Sequence, residues 1–149
     1  MKYRGEIMTK IGIISDTHNV LRDEVINDLT TCDYIIHAGD IIKQDIVDAL
    51  KKIAPLYIVK GNNDVLNLNE ELMFEIEGYK FFLIHQKGEK QDVDFYIYGH
   101  SHQYACFKDD KTLYLNPGSC GRKRFSLPLT YMILVIDEKG CSVVRKELI

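Results

Sequence analysis

In "YIYGHSHQ", His100 and His102 stand one residue apart, and "ISDTHN" repeats that spacing with Asp16 and His18. Residues i and i+2 of an extended segment face the same side, so each pair offers two donors to one place. Three more polar residues close short apolar runs: Asp40 after "YIIHAG", Asn62 after "PLYIVKG" and His85 after "YKFFLI". Alone, each is ordinary turn or packing chemistry, because Asn and Asp readily bond their own backbone. Together they put four of the chain's five histidines, two aspartates and an asparagine at successive strand ends. Ligands of open α/β sheets bind beyond the carboxyl ends of the strands. Carboxylate, amide and imidazole donors suit hard-to-borderline divalent ions; Mn, Fe, Zn and Ni fit, copper less well. Two such ions about 3.5–4 Å apart, sharing one carboxylate, would serve an in-line displacement at phosphorus.

The elements that must position these residues alternate in the first half. "KIGIIS", "YIIHA" and "PLYIVK" read as strands, while "VLRDEVINDLTT" and "QDIVDALKKI" carry apolar residues at helical spacing. A β-α-β-α-β order implies parallel strands with crossover helices. The second half reads as strands alone, beginning with a hairpin of "LMFEIEG" and "YKFFLIH" that turns at Gly78. "DFYIYG", "QYACFKDDKTLYLN", "LTYMILVID" and "GCSVVRKEL" follow, with "KDDK" and "DEKG" as hairpin turns. The expected fold is α/β, with two packed sheets, a mostly parallel beginning and a mostly antiparallel finish. Residues 1–149 are expected to form one domain.

A net charge of −3 argues against a protein that coats nucleic acid or anionic membrane. No apolar run approaches the roughly 20 residues needed to span a bilayer. Cys32, Cys106, Cys120 and Cys141 show no C-x-x-C pairing, and "MKYRGEIMTK" lacks the apolar stretch of a signal peptide. These features fit reduced thiols in a cytoplasmic protein. No Gly-Lys dipeptide exists for a P-loop, and the nucleophile-elbow pattern G-x-S-x-G is absent. Cys120 lies near Arg122 and Arg124, which could lower its pKa, but the donor set needs no such nucleophile.

D-T-H, G-D, G-N-x-D, an isolated His and G-H-S-H, in that order, closely resemble the calcineurin-like metallophosphoesterases. "NPGS" at Asn116–Ser119 narrows the resemblance to that superfamily's small bacterial and archaeal phosphodiesterases. It implies two β-sheets flanked by helices, with two divalent ions at the sheet edge, Mn favoured. Asp16, His18, Asp40 and His102 would hold the first ion, and Asp40 would bridge to a second held by Asn62, His85 and His100. A water shared by the ions would lose its proton and attack phosphorus in a small phosphodiester, nucleotide-like ones among the candidates. Asp40, Asn62 and Asp64 are then the catalytic candidates, with Asp64 orienting a neighbouring ligand or loop. His37 would sit behind the ligands or pack.

Three departures from the wider pattern matter. Asn63 stands where many relatives place a histidine thought to protonate the leaving oxygen, and an amide cannot replace that acid. "HQKGEK" replaces the usual H-G-H, so the substrate-facing loop should differ. The stretch from His85 to His100 is too short for much of a cap, which implies an open site of low selectivity. Asn63, Asn116, Ser119 and Arg122 are the candidates for substrate contact, because arginine suits phosphate oxygens. Arg122, Lys123 and Arg124 form one basic run, which a solvated surface would explain equally well. Alternatives are a nuclease, which the acidic balance disfavours, and a protein-binding scaffold like the retromer subunit that resembles this family. Exposed edge strands would also permit a homo-oligomer.

Overall fold

A computed structural model describes residues 8–121, 123 and 126–148. Two five-stranded sheets pack face to face. The first contains β1 (Met8–Ile14), β2 (Tyr34–His37), β3 (Leu56–Ile58), β9 (Thr130–Asp137) and β10 (Gly140–Glu147), ordered β10-β9-β1-β2-β3. The second contains β4 (Glu71–Ile76), β5 (Tyr79–Ile84), β6 (Phe95–Ile97), β7 (Ala105–Asp109) and β8 (Thr112–Asn116), ordered β4-β5-β6-β8-β7. Helices α1 (Asp23–Leu29) and α2 (Gln44–Ile53) make the two crossovers of the first sheet.

Strand alternation sorts the apolar residues into layers. Ile11, Ile13, Ile36, Met132 and Leu134 meet Phe81, Leu83, Phe95, Ile97 and Leu115 between the sheets. Val25, Leu29, Ile46, Val47 and Leu50 carry the two helices onto the outer face of the first sheet, against Ile14, Ile35 and Ile133. Each fully buried aliphatic side chain contributes about 1.5–3 kcal/mol. The outer face of the second sheet carries Phe82, Tyr96, Tyr98 and Tyr114 instead. Among the described elements no helix covers it, so helices flank the sandwich on one side only.

Two expectations need correction. The second sheet is mixed: β5, β6 and β8 run parallel, with β4 and β7 as antiparallel edges. The late strands β9 and β10 leave it altogether and complete the first sheet beside β1. α1 also starts later than its apolar spacing implied, at Asp23 rather than Val20. The preceding backbone is used elsewhere: His18 N–H donates to the Asp40 carbonyl and Asn19 N–H to the Ile41 carbonyl. α2 and the turn at Glu77-Gly78 form where the sequence places them, both turn residues having positive φ as a tight hairpin requires.

This topology fixes the location of the polar residues. β1, β2 and β3 end in the segments that carry Asp16, Asp40 and Asn62, while β5, β6 and β8 end at His85, the two glycine-linked histidines and Asn116. Two sets of parallel strands therefore bring their carboxyl ends to one edge of the sandwich.

Candidate metal centre

Two groups of donor atoms, each within 4.8 Å of one another, form at that edge: Asp16, His18 and His102, and Asp16, Asp40 and His85. Asp16 Oδ1 lies 3.4 Å from His102 Nε2, 3.9 Å from His85 Nε2 and 4.0 Å from His18 Nε2. Asp40 Oδ2 stands 3.5 Å from His85 Nε2 and 3.7 Å from His18 Nε2, so it touches one member of each group. Asn62 brings its side-chain amide to 3.0 Å from His85 Nε2. His100 stands edge-to-face with His85, ring centroids 5.2 Å apart, and its N–H donates to Asp16 Oδ2.

The donor set fits cations on two observations. Asp16 Oδ1 is fully buried yet accepts no hydrogen bond, although Oδ2 of the same carboxylate takes Ser15 Oγ–H at 2.6 Å. A buried carboxylate oxygen left unpaired is costly unless something positive meets it. His85 Nδ1 lies 2.7 Å from the Ala38 carbonyl, which can only accept, so Nδ1 carries the proton of the neutral ring. The lone pair of Nε2 then lies 3.5 and 3.9 Å from the Asp40 and Asp16 carboxylates, acceptors that a cation would bridge, while the Asn62 amide turns its N–H₂ to Nε2 and to Asp40. Metal bonds of about 2.0–2.2 Å separate neighbouring donors by roughly 3–3.5 Å, close to the spacings here.

Electrostatics agree. Burial works against charge on His85, but the Asp40 and Asp16 carboxylates outweigh it and raise the imidazole above its ordinary pKa. Burial likewise opposes ionisation of Asp40, yet the protonated form of His85 and the N–H donors of Asn63 hold it well below the usual carboxylate range. The pocket favours positive charge, whether from a proton or from a metal.

Backbone conformation shows how tightly the donors are held. Asp16, His18, Asp40, His100 and His102 all have φ between 46° and 72°. That left-handed region is uncommon outside glycine and costs about 1–3 kcal/mol per residue where the side chain is ill suited. Asp and His tolerate it better than most, and its concentration at candidate ligands marks a functional site.

The surrounding contacts explain how the strain is maintained. The Asp64 carboxylate accepts four backbone N–H bonds of 2.8–2.9 Å, from Asp40, Ile41, Ile42 and Gly61. Asp64 therefore positions the segments that carry Asp40 and Gly61. Asn63 gives its backbone N–H to Asp40 Oδ1 and its side-chain N–H to Asp40 Oδ2. Glycine is required where these segments cross: a Cβ on Gly61 would lie 2.1 Å from Asp40 Oδ1, and one on Gly99 2.1 Å from Ser15 Oγ.

His37 is fully buried and clasps the ends of β1 and β2. Its Nδ1 accepts the Gly39 N–H, which leaves Nε2–H to donate to Thr17 Oγ1, both at 3.0 Å. Burial pushes its pKa down to about 4. The unfolded chain, with an ordinary histidine near 6.5, binds more protons between those values. Stability from His37 is thus complete above about pH 6.5 and falls as pH drops towards 4, by about 3 kcal/mol in all. Acid titration of the metal-stripped protein should show this slope, and His37→Gln should flatten it. Equal slopes in both proteins would rule out His37 as the source.

Several residues expected near substrate stand elsewhere. Asn116 is buried and saturated: its N–H₂ serves the Gly99 carbonyl and Ser101 Oγ, while Oδ1 accepts the Gly118 N–H. Ser119 is buried and donates to the Asp16 carbonyl. Both brace the ligand loops from behind, because the "NPGS" turn is packed under them. Burial pushes Cys120 up to about 12, which removes it as a nucleophile. Arg122 and Arg124 lie outside the described residues. Lys123, between them, lines a cleft of about 320 Å³ with His18, Asp40, Asn62, Asn63, His100 and His102. The basic run was visible in sequence, but not which of its members faces the centre. A second cleft of about 470 Å³ shares Asn62 and His85 and adds Lys60, Glu70, Glu71 and Gln86.

Known proteins place this geometry. Residues 9–139 match the calcineurin-like phosphoesterase superfamily domain. A probable metallophosphoesterase of Methanocaldococcus jannaschii is 38% identical, over 92% of this chain and 81% of its own length. A phosphodiesterase of the same organism is 32% identical, over 74% of this chain and 84% of its own. The vacuolar protein sorting 29 structure of Cryptosporidium parvum superposes with a TM-score of 0.78 at 20% identity, covering 95% and 98% of the two chains. Sequence and donor geometry agree: this chain belongs to the calcineurin-like phosphoesterase superfamily.

Proposed function

We propose that the protein is a cytoplasmic phosphodiesterase that hydrolyses small, nucleotide-like phosphodiesters with two divalent ions, Mn preferred. The observation that carries this reading is the unpaired, buried Asp16 Oδ1 facing three imidazole Nε2 atoms. Asp16, His18, Asp40 and His102 would hold one ion, with Asn62, His85, His100 and Asp40 holding the other. Bound ions supply charge that neutralises phosphate oxygens and acidifies water. The chain's own residues do the remaining work. Ser15 and the His100 N–H keep Asp16 turned so that one oxygen faces the centre. Ala38 fixes the tautomer of His85, and Asn63 fixes the carboxylate plane of Asp40. The described cleft, about 320 Å³, has no helical residue among its described lining, which favours varied small substrates over one shape.

Likeness to the vacuolar sorting protein supports a second reading, a scaffold that binds other proteins on the same fold. The complete set of N and O donors favours catalysis, since a scaffold has no need of it.

Metal-stripped protein, titrated with Mn, Fe, Zn or Ni, should hydrolyse bis(p-nitrophenyl) phosphate only when an ion is present. At ion concentrations about 100-fold above Kd the midpoint of unfolding should rise by roughly 5–10 °C. A thermal shift without hydrolysis across all four ions would put the scaffold reading first. No shift and no hydrolysis would reject the metal centre itself.

A further inference from the structure

Resting on the phosphodiesterase reading, the geometry points to Lys123 as the residue that protonates the leaving oxygen. Cleavage of an unactivated ester needs a proton at the departing alkoxide, and a positioned acid contributes roughly 10²–10⁴-fold. Asn63 cannot be that acid: its backbone N–H and one side-chain N–H go to Asp40, and an amide does not give up a proton as an acid must. The imidazoles in the cleft are engaged as candidate ligands. Among the described residues lining that cleft, Lys123 is the one cation and the one donor without such a role.

The backbone that leads to Lys123 is pinned to the centre. Ser119 Oγ donates to the Asp16 carbonyl, and Cys120 N–H to the Ser15 carbonyl. Arg22 donates to the Gly121 carbonyl at 2.7 Å. Gly121 itself presses so close to Thr17 that a Cβ would sit 1.9 Å from the Thr17 carbonyl oxygen. Two residues later, the exposed Lys123 lines the cleft beside His18, Asn63 and His102.

The step balances. Water adds to phosphorus and releases a proton to solvent; the ester P–O bond breaks and its electron pair goes to the leaving oxygen. Lys123 Nζ gives that oxygen a proton, and the neutral amine regains one from solvent. The substrates this favours are diesters whose leaving group is an alkyl or sugar alcohol, which departs poorly without a proton. Nitrophenolate, a weak base, needs little help.

The test compares Lys123→Ala and Lys123→Arg with the parent, metal-loaded, on bis(p-nitrophenyl) phosphate and on p-nitrophenyl and alkyl esters of thymidine monophosphate. Lys123→Ala should lower kcat several-fold with the nitrophenyl leaving group and roughly 10²–10⁴-fold with the alkyl one. Lys123→Arg, which keeps the charge but rarely loses its proton, should rescue KM more than kcat. The Mn-induced thermal shift should be the same in all three proteins. Equal losses on good and poor leaving groups, or a loss confined to KM, would overturn the acid role while leaving the enzyme intact. A changed thermal shift would also overturn it, by tracing the effect to the metal centre. Failure of the parent on every ester would reject the phosphodiesterase reading instead.

Discussion

Asp40→Asn should leave the protein folded and lower phosphodiester turnover by about three orders of magnitude. The side chain is buried, and its Oδ2 stands between His85 and His18 at 3.5 and 3.7 Å. An amide has nearly the same shape and keeps one of the two acceptors that Asn63 uses, so packing survives at a cost of about 1–3 kcal/mol for the donor left unpaired. What it loses is one unit of negative charge at the position that touches both donor groups. Lewis-acid stabilisation at phosphorus amounts to several kcal/mol, and each 1.36 kcal/mol is tenfold in rate. Steady-state hydrolysis of bis(p-nitrophenyl) phosphate with Mn reads the loss. The Mn-induced thermal shift should shrink in parallel, because the amide is a weaker ligand. Turnover within tenfold of the parent would show that Asp40 is not shared between the ions.

Asp64→Asn should damage the molecule more broadly, because Asp64 acts on two backbone segments at once. Oδ1 serves Ile41 and Ile42, while Oδ2 serves Asp40 and Gly61. An amide turns one of those oxygens into a donor, and two backbone N–H groups then meet N–H₂. Each buried donor left unsatisfied costs roughly 1–3 kcal/mol, so the total is about 2–6 kcal/mol. That is a large share of the roughly 5–15 kcal/mol that stabilises a domain. The same bonds hold Ile42 at φ 85°, where a β-branched residue does not rest by itself, and Asp40 at φ 64°. The unfolding midpoint should fall by roughly 5–20 °C and metal affinity by about 10–100-fold. A variant with an unchanged midpoint would mean that the nest of N–H groups finds water without cost.

The donor residues could be read from sequence because their signal is local: a β-rich run stops and a ligand-type residue follows. α2 and the hairpin turns were readable for the same reason, since lysines in the last turn and a glycine in a two-residue turn act over a few positions. Strand partners are not local. Nothing within β6 or β8 states that they lie parallel to each other and to β5, and nothing in β9 states that it lies beside β1. The site has the same limit. Asn116, Ser119 and Asn63 look alike in sequence as polar residues near a turn; only the packed loops show which brace and which face the cleft. Asp64 was expected to orient a loop, but its four N–H partners come from two separate segments, which spacing alone does not join.

The position of β1 also has a consequence for how the protein is made. The strand that leads into Asp16 and His18 lies between β2 and β9, so its sheet is complete only after residues 130–137 have paired with it. Ser119 and Cys120, which pin the same loop, arrive about a hundred residues after it. Contacts of such long sequence separation form late. A growing chain on the ribosome therefore carries the first ligands long before it can close the centre around an ion. An ion held by these donors would then be captured only after the late contacts form, and a truncated chain lacking β9 would carry the donors without the sheet that positions them.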